Sequence, residues 1–168
     1  SILDNLLLTP MGKMMITRGI VLLQEDTIGL RVSTLKGLSK DLLGQMISLA
    51  PMISEPVFVD QLPAEKVAGA DFFVQNNIIL LLPIRSSDKT LGLIGFGKKI
   101  SGRPYLKAEL EYLKSLSNIA ATSIENGLMV MKLQDVNRRL DKKIQELNTL
   151  FDIGKELNST LDVDKILN

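Results

Sequence analysis

The chain has 168 residues, of which 45% are hydrophobic, and its 20 lysine and arginine residues nearly balance 19 aspartate and glutamate residues. This length suits one ordinary domain with an extension, and the balanced charge predicts no attraction to nucleic acid or to an anionic membrane. The sequence has no cysteine and no histidine. Their absence excludes disulfides, thiolate nucleophiles, the usual zinc and haem sites and a serine–histidine triad. We therefore expect no metal, no cofactor and a cytoplasmic protein.

The first part of the chain predicts a helix followed by two strands. Apolar residues recur at helical spacing from the N-terminus, and Pro10 is expected to kink or restart this helix. Residues 19–24 form an apolar run that predicts a strand, and residues 29–35 alternate between apolar and polar side chains as a second strand does. Ser39 is the predicted N-cap of a short helix that extends to Met46.

The middle of the chain, residues 49–77, is the least regular part. Three prolines, at positions 51, 56 and 63, interrupt it. Residues 57–59 are predicted as a short strand, and residues 64–74 as either a short helix or a mobile loop.

A hairpin gives the clearest sheet signal. Two apolar runs, residues 78–84 and 91–97, flank a polar turn at residues 85–90. Glycines at alternate positions of the second run allow another group to pack closely against one face. A long helix then begins at Leu106. The order of elements predicts an α+β domain, in which a central antiparallel sheet carries helices packed on one face.

The long C-terminal helix carries a heptad seam that predicts a parallel two-stranded coiled coil. Leucines occupy the d positions, while β-branched residues, one phenylalanine and one asparagine occupy the a positions. The predicted homodimer interface comprises Val130, Leu133, Asn137, Leu140, Ile144, Leu147 and Phe151. A buried Asn137 pair would fix the register at some cost in stability. A helix packed on its own domain shows similar leucine spacing, but the polar residues around this stripe leave it narrow.

Three stretches of the sequence carry a resemblance to a known family. Residues 78–97 (IILLLPIRSSDKTLGLIGFG) hold a strand, a proline, a polar turn and a second strand. Residues 105–129 (YLKAELEYLKSLSNIAATSIENGLM) form a helix whose leucine and alanine face ends in Ile-Glu-Asn, and residues 18–26 (RGIVLLQED) form a first strand. Together they resemble the GAF domain, a small-molecule-sensing module of signalling proteins. PAS domains share this architecture without the closing-helix pattern, and they are the nearest alternative.

The resemblance implies a division of the chain into three parts. Residues 1–131 would be the GAF domain, residues 132–157 a coiled-coil signalling helix, and residues 158–168 the lead-in to a following domain. The C-terminal stretch resembles the helix that precedes another GAF domain in tandem arrays, which suggests a fragment of a multidomain signal-transduction protein. Proteins of this layout often end in a histidine kinase, a serine phosphatase, a nucleotide cyclase or a transcription activator.

The resemblance also implies a ligand pocket between the sheet and the segments that cross it. The matching segments hold aromatic rings for stacking on a flat ligand and polar side chains as anchors. The candidate ligand-binding residues are Phe58, Asp60, Phe72, Phe73, Gln75 and Asn77. Phenylalanines in a chain this poor in aromatics also serve as core residues. Arg31 and Arg85 are further candidates, either for binding a carboxylate or phosphate or as solvent-facing strand residues.

The sequence lacks the features that the family's best-known ligands need. It has no cysteine to attach a tetrapyrrole, no histidine for haem or iron, and no cyclic-nucleotide signature. No nucleophile–base pair or phosphate loop accompanies its few close carboxylates, so we predict no catalytic residue and no enzyme activity. Two hypotheses remain open. One is a regulatory sensor that relays a ligand's presence through a parallel coiled coil to an output domain. The other is a ligand-free structural domain for dimerisation and spacing.

Overall fold

The structure is a computed structural model that describes residues 1–49, 53–62, 69–87 and 89–167. Several predicted features lie outside the described residues, namely the prolines at positions 51 and 63, residues 64–68 of the predicted helix or loop at 64–74, and Asp88 of the predicted turn. The chain divides into two compact units, Ser1–Glu125 and Asn126–Asn168.

The elements follow one another in an order typical of an α+β domain. In chain order they are α1 (Ile2–Met14), β1 (Gly19–Gln24), β2 (Gly29–Lys36), a 3-10 turn (Lys40–Leu42), β3 (Met46–Ser48), β4 (Val57–Phe58), a second 3-10 turn (Val59–Gln61), α2 (Ala70–Gln75), β5 (Leu80–Ser86), β6 (Lys89–Phe96) and α3 (Lys107–Leu167). The predicted first strands, hairpin and long helix are all present.

The strands form one six-stranded sheet in the order β3-β2-β1-β6-β5-β4. Every pairing in it is antiparallel, which confirms the predicted fold class. β1 and β6 lie at the centre, and both faces of a central strand are covered, so they are apolar almost throughout. The ladder between β5 and β6 extends as far as the pair Ser86–Lys89.

Two hydrophobic clusters cover the two faces of the sheet, because successive side chains of a strand point to opposite faces. Val21 and Leu80 belong to the first cluster, which includes residues of α1 and α3 such as Leu7 and Leu113. Ile20 and Leu81, their neighbours in sequence, belong to the second cluster. α2 and the turn before it contribute Ala70, Phe73 and Val59 to that second cluster. α1 and α3 thus share one face of the sheet, as predicted, whereas the short α2 packs on the other face, which the prediction of helices on one face did not include.

α1 is tied to the sheet by Asp4, which also takes part in the capping box of the helix. The hydroxyl of Ser1 accepts from the backbone of Asp4, and the two residues form a capping box. The Asp4 carboxylate also accepts from Thr34 at 2.9 Å and pairs with Lys36 at 3.0 Å on β2. Pro10 lies inside α1, which continues to Met14 as a single helix, so the expectation that proline restarts the helix was wrong.

The predicted helix from Ser39 to Met46 was also wrong. Ser39 accepts from the backbone of Asp41, as a cap should, but the helix it starts is a three-residue 3-10 turn. Gly44 then takes a φ of 81°, a conformation that stops a helix. Met46 instead begins β3, where it pairs with Arg31 of β2.

The two strands of the hairpin extend further into the polar stretch at residues 85–90 than the sequence predicted. Residues 85, 86, 89 and 90 were assigned to the turn because they are polar, but they extend the ladder through the pairs Arg85–Thr90 and Ser86–Lys89. An antiparallel ladder can carry polar side chains where it faces water. Arg85 and Lys89 are exposed whereas Thr90 is buried, so the polar side chains did not mark the limit of the strands.

The second unit consists of the C-terminal part of α3. All seven residues of the predicted interface lie on this helix and are exposed, with exposed fractions of 54% at Leu140 and 70% at Phe151. Charged residues occupy other positions of the helix, for example the Asp135–Arg139 pair at 3.0 Å. The coiled coil and the homodimer stay predictions. Among the described residues, no helix is long and apolar enough to cross a membrane.

Gly37, the residue after β2, offers a test of the close approach between the chain there and the segment that precedes β1. Its φ is 69°, and an added Cβ would overlap the carbonyl oxygen of Thr17. We expect Gly37→Ala to lower the free energy of unfolding by at least about 3 kcal/mol, because backbone strain and a steric clash add together. Urea denaturation followed by circular dichroism measures this change.

Gly44→Ala is the matched control for that prediction. Gly44 also has a positive φ, of 81°, but no atom lies within 4 Å of an added Cβ. We expect it to cost only about 1–2 kcal/mol from the strain alone. Equal losses at the two positions would contradict the proposed clash at Thr17.

Candidate functional site

A cleft of about 410 Å³ lies beside β4, and we call it the β4 cleft. Its lining residues are Phe58, Val59, Asp60, Val74, Asn77, Ile78, Ile79 and Lys98. Ile78 and Val59 are buried and make an apolar floor, whereas Asp60 and Lys98 are exposed. An apolar pocket of this volume with a few polar groups is typical of a small-molecule site.

Backbone hydrogen bonds that continue the sheet hold three sides of the β4 cleft together. The Ile79 amide donates to the carbonyl of Phe96 at 2.9 Å, and the Val59 amide donates to the carbonyl of Ile79 at 2.8 Å. The chain segments after β6, before β5 and after β4 therefore lie side by side. This places Lys98, Ile79 and Val59 around one space although they are far apart in the sequence.

Asn77 forms the corner between α2 and β5. Its φ is 55°, in the left-handed region where asparagine is among the few residues other than glycine that are found regularly. Its amide donates to the carbonyl of Val74 at 3.1 Å, and the Ile78 amide donates to the carbonyl of Phe73 at 2.9 Å. These bonds close the end of α2 as a helix C-cap does. The turn at Asn77 brings both Val74 and Ile78 to the cleft.

Tyr105 supports the cleft by packing near Phe58, one of its lining residues. Its ring lies 6.4 Å from the ring of Phe58, and its hydroxyl donates to the carbonyl of Gly97 at 2.6 Å. Burial, with a smaller contribution from the charge of Glu109, raises the pKa of Tyr105 well above its usual range. The hydroxyl therefore stays protonated as a donor, and it fixes the backbone that leads to Lys98.

The rim of the β4 cleft carries one acid and one base. Asp60 and Lys98 bring opposite charges to a space whose other lining residues, apart from Asn77, are apolar. This pair of charges suits a small zwitterionic or dipolar molecule better than a strongly charged anion. Nowhere in the described part of the chain do three acidic side chains gather closely enough to hold a metal ion. The arrangement offers binding groups and no nucleophile paired with a base.

The structure brings three of the six candidate ligand-binding residues to the β4 cleft. Phe58, Asp60 and Asn77 line it. Phe73 is fully buried in the second hydrophobic cluster, Phe72 packs against it at 5.3 Å between ring centroids, and Gln75 is exposed on α2. These last three do not line the cleft, and a binding role for any of the six stays a prediction.

Sequence reasoning did not find the rest of the lining. Four of these residues are ordinary apolar residues, Val59, Val74, Ile78 and Ile79. Lys98 lies just after β6, and nothing in the sequence singled it out. Their proximity depends on the register that pairs Leu80 with Phe96, and that register is not visible in the sequence.

Arg31, the first arginine proposed for anion binding, is occupied by other partners. Its guanidinium is hydrogen-bonded to the Glu25 carboxylate and donates to the carbonyl of Gly44 at 2.9 Å. These bonds link β2 to the loops at its side.

A second, wider groove of about 770 Å³ lies between the end of α1 and the start of α3. Its charges are largely engaged with neighbours. Lys99 pairs with Glu109 at 2.6 Å, and the Lys13 ammonium lies 4.3 Å from the ring centre of Tyr112. The Lys99 side chain is only 10% exposed, so this pair joins the loop after β6 to the first turn of α3. We interpret the groove as a structural junction.

Comparisons with known proteins agree on one fold. A family described as GAF domain matches residues 11–126. No curated protein sequence matches the chain significantly.

Three solved structures illustrate the similarity. The GAF-B domain of DevS from Mycobacterium smegmatis is 13% identical, with a TM-score of 0.58 over 79% of this chain and 96% of that one. The PixJ GAF domain of Thermosynechococcus elongatus, in its blue-light absorbing form, is 14% identical, with a TM-score of 0.57 over 79% and 88%. The GAF domain of a two-component sensor histidine kinase from Bacillus halodurans is 20% identical, with a TM-score of 0.53 over 76% and 97%. At these identities the similarity establishes the fold.

Proposed function

The chain belongs to the GAF domain family, and from this premise we propose that it is a non-catalytic regulatory sensor. It binds a small ligand in the β4 cleft and relays the bound state along α3 to a downstream output domain. A ligand shifts such an equilibrium only by its difference in affinity for two states. The elements that would have two states are α2 and the segment around β4, which line the cleft and pack in the second cluster.

One observation carries this proposal. α3 contributes Leu113, Ala120 and Ala121 to the first hydrophobic cluster, and the same helix continues to Leu167. Beyond Asn126 it exposes a seam of leucines with Asn137 among them. Apolar residues exposed at heptad spacing are stabilised by pairing with a second helix. We infer that two copies of the chain pair in parallel along this seam.

The output domain is proposed by analogy with a solved relative. The GAF domain from Bacillus halodurans belongs to a two-component sensor histidine kinase. A kinase is therefore one candidate for the output of this chain, and a serine phosphatase, a cyclase or a transcription activator are the others.

A ligand-free structural domain is the second candidate function, and the face of the sheet beneath α2 favours it. At Gly95 an added Cβ would lie 2.8 Å from the Ile78 side chain and 2.9 Å from that of Ile20. A gap on the same face, bordered by Leu30 and Leu93, has a volume of only about 10 Å³, no more than one water occupies. In the described part of this face, the chain's own side chains occupy the space that a ligand would need. The domain would then serve only for dimerisation and for spacing the neighbouring domains.

Filling the β4 cleft with a side chain separates these two functions. Val74 lies on the cleft and is 61% exposed, so Val74→Trp adds volume there without disturbing the core. A ligand at about 100 times its Kd should stabilise the wild-type protein by about 2.7 kcal/mol, which raises the Tm by several degrees. We expect a thermal-shift screen of metabolites to give such a hit, and Val74→Trp to abolish it.

Gln75→Trp is the matched control, because Gln75 is the next residue of α2, is exposed and does not line the cleft. It should leave the response to the same metabolite unchanged. Native mass spectrometry of the purified protein complements the screen, since a retained ligand appears directly as added mass. A dimer without added mass, together with no stabilisation across a broad library, favours the structural domain.

A further inference from the structure

A small polar cavity lies at the free edge of β5, apart from the β4 cleft, and we call it the edge cavity. β4 pairs only with Leu80 and Leu81, so within the described residues the rest of this edge has no strand partner. Pro83, which lacks an amide hydrogen, is tolerated at such an edge. The edge cavity has a volume of about 130 Å³ and is bordered by β5, by the segment before β4 and by α3.

The helical side of the edge cavity carries three polar residues on one face. Lys114, Ser117 and Asn118 line it, and spacings of three and four residues place them side by side on α3. Ser117 is only 2% exposed. Its hydroxyl has no hydrogen-bond partner in the described part of the protein.

The orientation of Ser117 differs from that of other hydroxyls on the same helix. Thr122, Thr149 and Thr160 each donate to the carbonyl four residues earlier, the usual partner of a hydroxyl within a helix. Ser117 makes no such bond. An unpaired buried hydroxyl costs free energy, so a group that accepts its hydrogen bond would be stabilising here.

The remaining charges of the edge cavity favour an anion as that group. Arg85 on β5 and Lys114 on α3 line it from two sides, and Glu55 is the one acid among the residues around it. Glu55 pairs with Lys114 at 2.8 Å. The hydrogen bond from Lys114 chiefly lowers the pKa of Glu55, and the charge of Arg85 contributes to the same shift. The Glu55 carboxylate therefore already interacts with both cations, Lys114 and Arg85.

We propose that the edge cavity is a binding site for a free tetrahedral oxyanion, such as inorganic phosphate or sulfate. Ser117 and Asn118 donate hydrogen bonds to it, Arg85 and Lys114 supply the charge, and Glu55 is a resident anion that it displaces. The Glu55 side chain is 68% exposed, so it can rotate toward the solvent when the ion binds. The cavity volume of about 130 Å³ is enough for one such ion.

Phosphate titration by calorimetry at constant ionic strength, with chloride as the balancing salt, tests this proposal. We expect saturable binding to the wild-type protein. Arg85→Gln and Ser117→Ala should each weaken it about tenfold, because each removes a hydrogen bond to a charged group. Glu55→Gln should strengthen it about tenfold, because the competing carboxylate is removed. Opposite signs from neighbouring substitutions are not expected from a general loss of folding.

Arg31→Gln is the control for the change in net charge, because Arg31 lies with Glu25 and Gly44 away from the edge cavity. It should leave phosphate binding unchanged. The proposal is overturned if phosphate does not bind, if Arg31→Gln weakens binding as much as Arg85→Gln does, or if Glu55→Gln has no effect. Tighter binding of glycerol phosphate than of inorganic phosphate would overturn the assignment to a free ion. None of these outcomes bears on the β4 cleft.

Discussion

Replacing Phe73 with alanine is expected to lower the free energy of unfolding by about 3–5 kcal/mol. The Phe73 ring is fully buried in the second hydrophobic cluster, where it packs edge-on against Phe72. Removing it leaves a cavity between α2 and the sheet, and close-packed neighbours relax into such a space only in part. Because the chain has no tryptophan, urea denaturation is best followed by circular dichroism.

Phe72→Ala provides the matched control for Phe73→Ala. Phe72 is the adjacent residue of the same helix but is only half-buried, so its removal should cost about 1–2 kcal/mol. If the two substitutions cost the same, Phe73 would not be a core residue of the kind described. The comparison also concerns function, since a phenylalanine that α2 needs for folding is not free to stack on a ligand.

The regular parts of this fold could be predicted because local patterns specify them. The apolar run at 19–24 is typical of a buried strand, the alternation at 29–35 is a signal of period two, and the hairpin adds a polar turn between two apolar runs. Each signal is contained within a few residues. The strands β1, β2, β5 and β6, the antiparallel sheet and the long helix were therefore predicted correctly.

The irregular parts depend on contacts that are distant in the sequence. β3 has only three residues and exists because it pairs with Gly29, Leu30 and Arg31 of β2. Gly44 stops the preceding turn through a positive φ, which a local pattern of apolar residues does not reveal. Here tertiary pairing overrode a helical spacing that would otherwise have been favourable.

The candidate sites show the same division. Phe58, Asp60 and Asn77 were named from the sequence because a resemblance to the GAF domain indicated their segments, and they do line the β4 cleft. Lys98 was missed because only the register of β5 and β6 brings it there. Ser117 was missed for a different reason, since a serine among the apolar residues of a helix does not show whether its hydroxyl has a partner.

Making the seam of α3 polar is expected to have the largest effect on assembly. Leu140 and Leu147 occupy successive d positions and are 54% and 62% exposed. In the proposed parallel dimer, Leu140→Gln together with Leu147→Gln removes two buried leucines from each chain. We expect the dimer dissociation constant to rise by at least about a thousandfold, because each buried leucine contributes about 2–5 kcal/mol. Sedimentation equilibrium across a range of concentrations measures the change.

Leu128→Gln together with Ile153→Gln is the control, because these residues are exposed on the same helix at positions f and c, away from the seam. Glutamine is a good helix former, so neither pair of substitutions should weaken the helix itself. The control should remain dimeric. A dimer that survives Leu140→Gln and Leu147→Gln unchanged would show that the seam is not the interface.

Asn137→Ile tests the register of the same dimer with the opposite sign. An asparagine at a buried a position costs stability but favours two strands in one alignment. We therefore expect the substitution to raise the Tm while the protein populates higher oligomers or shifted alignments. Thermal unfolding and sedimentation velocity together measure both effects. If neither changes, Asn137 does not face its counterpart in the partner helix, and α3 would have to transmit a signal through a different face.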